Sequence, residues 1–138
     1  VIERGDLSKA DAQALAVTLA ENLVVEGQAV RHGQKSPLAA VDDGDRLVTL
    51  QGRVDDVVRS GRAVVPHYTF DSLHLGLIHS EGQSGLSVGV AARGTVEEVT
   101  YGVDGSERSR TTSPFELTFV LSRPTGDRWL IVDVLPND

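Results

Sequence analysis

The spacing of apolar residues changes once, at Gly61, and this change most limits what the chain can fold into. Before it the spacing is helical. Ala12, Leu15, Ala16, Leu19 and Leu23 recur at intervals of three and four and form one stripe. Asp6 or Ser8 can cap that helix, because a short side-chain oxygen accepts a free backbone N–H. Gly27 weakens it, so its end falls there or near His32. Pro37 suits the first turn of a short helix. A further helix is predicted over DGDRLVTLQGRVDDVVRSG, residues 43–61, with Asp45 as its N-cap. Leu47, Leu50, Val54, Val57 and Val58 would be buried; Arg46, Arg53, Asp55, Asp56 and Arg59 would face water. Gly61 closes it at the position that favours a left-handed backbone.

After Gly61 the spacing alternates. Leu73, Leu75 and Leu77 mark a first strand, with Pro66 suited to a sheet edge. EGQSG is a turn. Leu86, Val88, Val90 and Ala92 mark a second strand, whose phase slips near Gly94 and so predicts a bulge there. GVDGSE is a hairpin loop with an Asp-Gly pair. Phe115, Leu117, Phe119 and Leu121 share one face of a third strand. PTGD turns into a fourth, RWLIVDVL, where Asp133 is expected on one face with Trp129, Ile131 and Leu135. Both faces of that strand are apolar, which predicts a central position. Helices first and hairpin-linked strands after give an α+β fold: helices packed on a curved antiparallel sheet of four or more strands, cone-like.

Composition removes several function classes. The chain has 138 residues and a net charge of −7, which disfavours nucleic acid and anionic membrane surfaces. It has no cysteine, so disulfides, thiolate zinc sites and thiol nucleophiles are excluded. No run of 18 apolar residues spans a bilayer, so no membrane insertion by this segment is expected. The chain begins at Val1 and lacks methionine, which suggests one domain, 1–138, trimmed from a longer protein. Arg dominates the 13 basic residues, a bias that points to a high-GC bacterial genome. The compartment stays open, extracytoplasmic or cytoplasmic.

This layout, ending in Gly126-Asp127-Arg128-Trp129-Leu130-Ile131-Val132, resembles the nuclear transport factor 2-like superfamily. Within it, LVTLQGRVDDVVRSGRAVV followed by strands looks most like bacterial accessory or extracytoplasmic modules and the intermembrane-space domain of plastid-division proteins. The resemblance implies a binding or assembly domain. It also implies an alternative, since other members are isomerases, cyclases and hydrolases with an acid and a Tyr or His inside the cone. Fold alone does not choose between them.

No motif names a reaction. Gly82-Gln83-Ser84-Gly85-Leu86 falls short of a nucleophile elbow, which also needs a strand before it and a helix after. Of His32, His67, His74 and His79, His74 differs in strand parity from His67 and His79, so they do not converge on a metal. The acids Asp42, Asp43 and Asp45 are accounted for by a helix start, whose dipole favours them. Asp133 is the one carboxylate inside an apolar strand; there it must be paired, hydrated or raised in pKa. Asp71 and Tyr101 are further polar groups that could meet it. Tyr68, His74, Trp129 and Asp133 are therefore the candidate ligand-binding residues. No catalytic set, metal or cofactor is assigned. The expected function is a non-catalytic accessory or interaction module that binds a protein partner or a second copy of itself. The alternatives are a small cone enzyme and a carrier or sensor of a small apolar ligand.

Overall fold

In the computed structural model, residues 2–3, 9–78, 86–123 and 128–136 are described. The order is β1 (Ile2–Glu3), α1 (Lys9–Arg31), a 3-10 turn (Leu38–Ala40), α2 (Gly44–Ser60), β2 (Ala63–Ile78), β3 (Leu86–Tyr101), β4 (Glu107–Arg123) and β5 (Leu130–Pro136). The strands form one antiparallel sheet in chain order. Two helices on an antiparallel sheet make the expected α+β fold. The two-residue β1 beside Leu77 and Ile78 adds a strand to the four expected. The expected caps Asp6 and Ser8, the EGQSG and PTGD turns and His79 lie outside the described residues.

Helix α1 runs through Gly27. A Cβ there would sit 3.1 Å from Val65 Cγ1, so the glycine lets helix and strand approach closely. The helix closes at Gly33, in left-handed backbone, with Gly33 N–H donating to Val30 O and Gln34 N–H to Ala29 O. This pair of bonds satisfies carbonyls that the helix end would otherwise leave open. Asp43, not Asp45, precedes α2, and its side chain makes no capping bond. Gly61 ends α2 as expected, its N–H on Val57 O.

The expected faces of α2 hold at Leu50 and Val54, which are buried, and fail at two positions. Val58 is 70% exposed, and Arg46 is 7% exposed. Arg46, Leu50, Val54 and Val57 follow a spacing of four, four and three, so Arg46 belongs to the buried stripe.

One core joins Leu15, Leu19 and Leu23 of α1 to Val88, Val90, Phe119, Leu121 and Ile131 of the sheet. Tyr68 meets Phe115 and Phe119 edge-on, with ring centroids 5.2 and 5.7 Å apart. A second cluster ties Ala29 and Val30 to Leu38, Leu50 and Val54. The phase slip near Gly94 is real but lies across the ladder. The extra residue is Asp71 of β2, between Phe70 opposite Gly94 and Ser72 opposite Arg93. A Cβ on Gly94 would fall 1.9 Å from Thr69 O, so only glycine fits beside the bulge.

Strand β5 is an edge strand, not a central one. Its outer side is covered in part by residues 41–43: Ile131 N–H donates to Val41 O, and Asp43 N–H donates to Ile131 O. That short parallel bridge shields an otherwise open edge.

Candidate functional site

Where residues 41–43 cross β5, four polar side chains are buried together. Asn22 and Glu26 stand one turn apart on α1, and Asp42 and Arg46 one turn apart around the start of α2. Arg46 grips Glu26 with both ends of its fork, Nε to Oε2 at 2.9 Å and Nη2 to Oε1 at 2.6 Å. This is the bidentate geometry in which an ion pair survives burial. Asn22 Nδ2 donates to Trp129 O at 3.0 Å and reaches Val41 O at 3.5 Å.

Asp42 is 1% exposed, and neither of its oxygens accepts a hydrogen bond from a donor group. The neighbour it faces is the Glu26 carboxylate, which can only accept. Two carboxylates can share such a site only through a proton, so Asp42 is held as the neutral acid and its O–H donates to Glu26. Burial, the bond to Glu26 and the charge of Glu26 push Asp42 up to about 10, against the pull of Arg46. Burial works to lower the Arg46 pKa, but Glu26, Tyr68 and Asp42 outweigh it and the net direction is up. Burial raises the Tyr68 phenol, with Arg46 opposing and Glu26 adding to the rise. The cluster is a closed polar seam tying α1, α2 and β5 together.

On the flank of α1, a half-open groove of about 310 Å³ runs between that helix and β2. Leu23, Val24, Val65 and Phe70 give it an apolar wall, and Tyr68, whose phenol feels the charges of Arg46 and Glu26 in the seam, also lines it. At its far end Arg31 lies over the Tyr101 ring, 4.0 Å from the centroid. Elsewhere, Val58 (70% exposed) and Val103 (77% exposed) lie at the end of the fold where α2 stops and the β3–β4 hairpin turns. Their side chains reach Gly33 and Gly61 respectively, so this end presents aliphatic surface over two glycines.

The candidates named from sequence are spread out. Tyr68 lines the groove and packs on the core. His74 is exposed on β2, opposite Ala91. Trp129 packs on the core under Arg123, 5.3 Å from its ring centroid. Asp133 is half-buried opposite Val120, and its Oδ1 accepts Val134 N–H. Asp133 does not share a face with Ile131 as expected. Val132 is an extra residue in β5, between Ile131 opposite Leu121 and Asp133 opposite Val120. The bulge leaves Ile131 and Val134 on the core and turns Asp133 away from it. Asp133 and His74 stand three strands apart, roughly 14 Å at about 4.8 Å per strand. Tyr68 packs on Phe119 of the core face, whereas Asp133, opposite Val120, is turned away from that face, so the two lie on opposite sides of the sheet.

Sequence reasoning missed Glu26, Arg46 and Asn22. The signal was present: Asn22 and Glu26 continue the stripe of Leu15, Leu19 and Leu23, and polar residues on a buried stripe must pair. Among the described residues no three His, Cys, Asp or Glu gather as a metal site, and no helix is long and apolar enough to cross a membrane.

In architecture the chain is similar to the crystal structure of the intermembrane space region of the chloroplast protein ARC6. The TM-score is 0.63 at 12% identity, covering 96% of this chain and 100% of that one. At this identity the likeness defines the fold class. No protein-family model matches the chain, and no curated protein matches it in sequence.

Proposed function

We propose that residues 1–138 form one non-catalytic accessory or interaction module of a larger bacterial protein, built on the nuclear transport factor 2-like plan. The observation that carries this reading is the aliphatic end surface of Val58 and Val103, poised over Gly33 and Gly61. Exposed aliphatic surface of this kind gains from being covered by a partner. The likeness to an intermembrane space region supports the same reading at the level of fold. So does the seam, whose buried acid and base pair with each other and do not line the groove. The test places a photo-crosslinking residue at position 58, 103 or 111 of the chain in its own cells. Discrete protein adducts from 58 and 103, but not from exposed Thr111, are expected; a second copy of the chain counts as a partner. Absence of adducts at both 58 and 103 overturns the reading.

A second reading, a carrier of a small apolar ligand, is favoured by the groove between α1 and β2. Its size falls at the lower end of the range for ligand sites.

A further inference from the structure

We infer that the groove between α1 and β2 binds an unbranched apolar molecule ending in a carboxylate, with the carboxylate on Arg31 and the tail along α1 toward Ala20. The inference rests on the reading of the groove as a small-ligand site and names the class of ligand.

Charge is the first argument. The chain carries 20 acids against 13 bases, yet among the described residues lining the groove there is no Asp or Glu. The one permanently charged group is Arg31. Among the described residues no carboxylate pairs with it; it lies over the face of Tyr101. Stacking fixes the guanidinium plane and leaves its N–H edge for an acceptor. That edge matches a carboxylate with two parallel bonds.

The backbone removes an objection. Arg31 ends α1, where open carbonyls would repel an anion. Here His32 N–H bonds Gln28 O, Gln34 N–H bonds Ala29 O, and Gly33 N–H bonds Val30 O. Three carbonyls of the last turn, those of Gln28, Ala29 and Val30, are thus occupied.

Shape is the third argument. From Arg31 to Ala20 the groove follows eleven residues of helix, about 16 Å at 1.5 Å per residue. Its walls over that length include the apolar Leu23, Val24, Val65 and Phe70, with Gln28, His67 and Tyr68 as the polar side chains among them and no second permanent charge. A saturated chain of decanoate or dodecanoate length spans that distance, and 310 Å³ suits one such chain.

The test titrates the isotope-labelled 138-residue chain with decanoate, decanol and decylamine below their micelle concentrations at pH 7.5, read by amide shifts. Decanoate is expected to move the amides of Val24, Gln28, Val65 and Tyr101, and to bind about tenfold more tightly than decanol. Arg31→Gln should bring decanoate down to the affinity of decanol, and Arg31→Lys should restore part of the difference. Arg31 is exposed, so both variants keep the fold. Equal binding of decanoate and decanol, or an Arg31→Gln variant that binds decanoate as before, overturns the carboxylate assignment while the groove remains an apolar site. If no groove amide moves with any probe, the carboxylate assignment and the small-ligand reading both fall.

Discussion

Replacing Asp42 by Asn should stabilise the protein at neutral pH, by an amount that grows with pH. The buried acid keeps its proton to about 10, whereas an ordinary aspartate loses it near 3.8. Between those values the folded chain binds one more proton than the unfolded chain, so its stability falls as pH rises. The sign is the reverse of the usual paired aspartate, because here the folded pKa is raised. From 3.8 to pH 7 is about three pH units at about 1.4 kcal/mol each, so neutrality costs at most about 4 kcal/mol. Asparagine avoids the cost. Its amide N–H can donate to Glu26 as the acid's O–H does, and it has no proton to lose. If relaxation around the seam halves the ceiling, about 2 kcal/mol remains, a rise in Tm of roughly 6–8 °C for a domain of this size. The assay is urea unfolding of both proteins at pH 5, 6.5 and 8. Their stabilities should converge toward pH 4 and diverge above it, the wild type being lower. Parallel pH profiles, or an Asp42→Asn variant less stable than wild type at pH 8, would refute the shared proton.

Arg46→Met should cost about 3–5 kcal/mol in urea unfolding, because it leaves Glu26 charged and buried. Adding Glu26→Leu to it should recover much of that loss, since the uncompensated charge goes with it. Gly94→Ala should cost about 3 kcal/mol or more in the same assay, since its Cβ would meet the Thr69 carbonyl at 1.9 Å. In a Tyr101→Phe background, absorbance titration of the remaining Tyr68 should give a phenol pKa above its ordinary 10.0, the direction set by burial.

What was legible in the sequence was whatever a repeating spacing encodes. The switch of period at Gly61 separated helices from strands, and Asp104-Gly105 marked the hairpin, where Ser106 N–H and Oγ both donate to Asp104 Oδ1. Pro66 lies on a part of β2 that β1 leaves unpaired, as an edge proline should. Single-residue offsets were not legible. The bulge was expected in β3 at Gly94, but the glycine is the space and the inserted residue is Asp71 opposite it. The bulge at Val132 left no trace, because apolar residues occupy both parities of the strand, so parity could not show the slip. That one offset separated Asp133 from the core face and dispersed the candidate set. Arg46 was assigned to water by its charge, although its spacing from Leu50 and Val54 placed it inside.

The seam and the groove are linked through α1. Helix positions 22 and 26 face the seam, while 20, 24, 28 and 31 face the groove, so the two lie on adjacent flanks of one helix. Hydrophobic packing of Leu15, Leu19 and Leu23 sets how deep α1 sits, but apolar contacts tolerate rotation about the helix axis. Directed bonds do not. Glu26 with Arg46, and Asn22 with the Trp129 carbonyl, fix α1 against α2 and the end of β5 at two points one turn apart. The rotation that these bonds forbid is the one that would move Val24 and Arg31 relative to Val65 and Tyr101. A buried polar seam that costs stability at neutral pH thereby keeps a fixed width in the groove beside it.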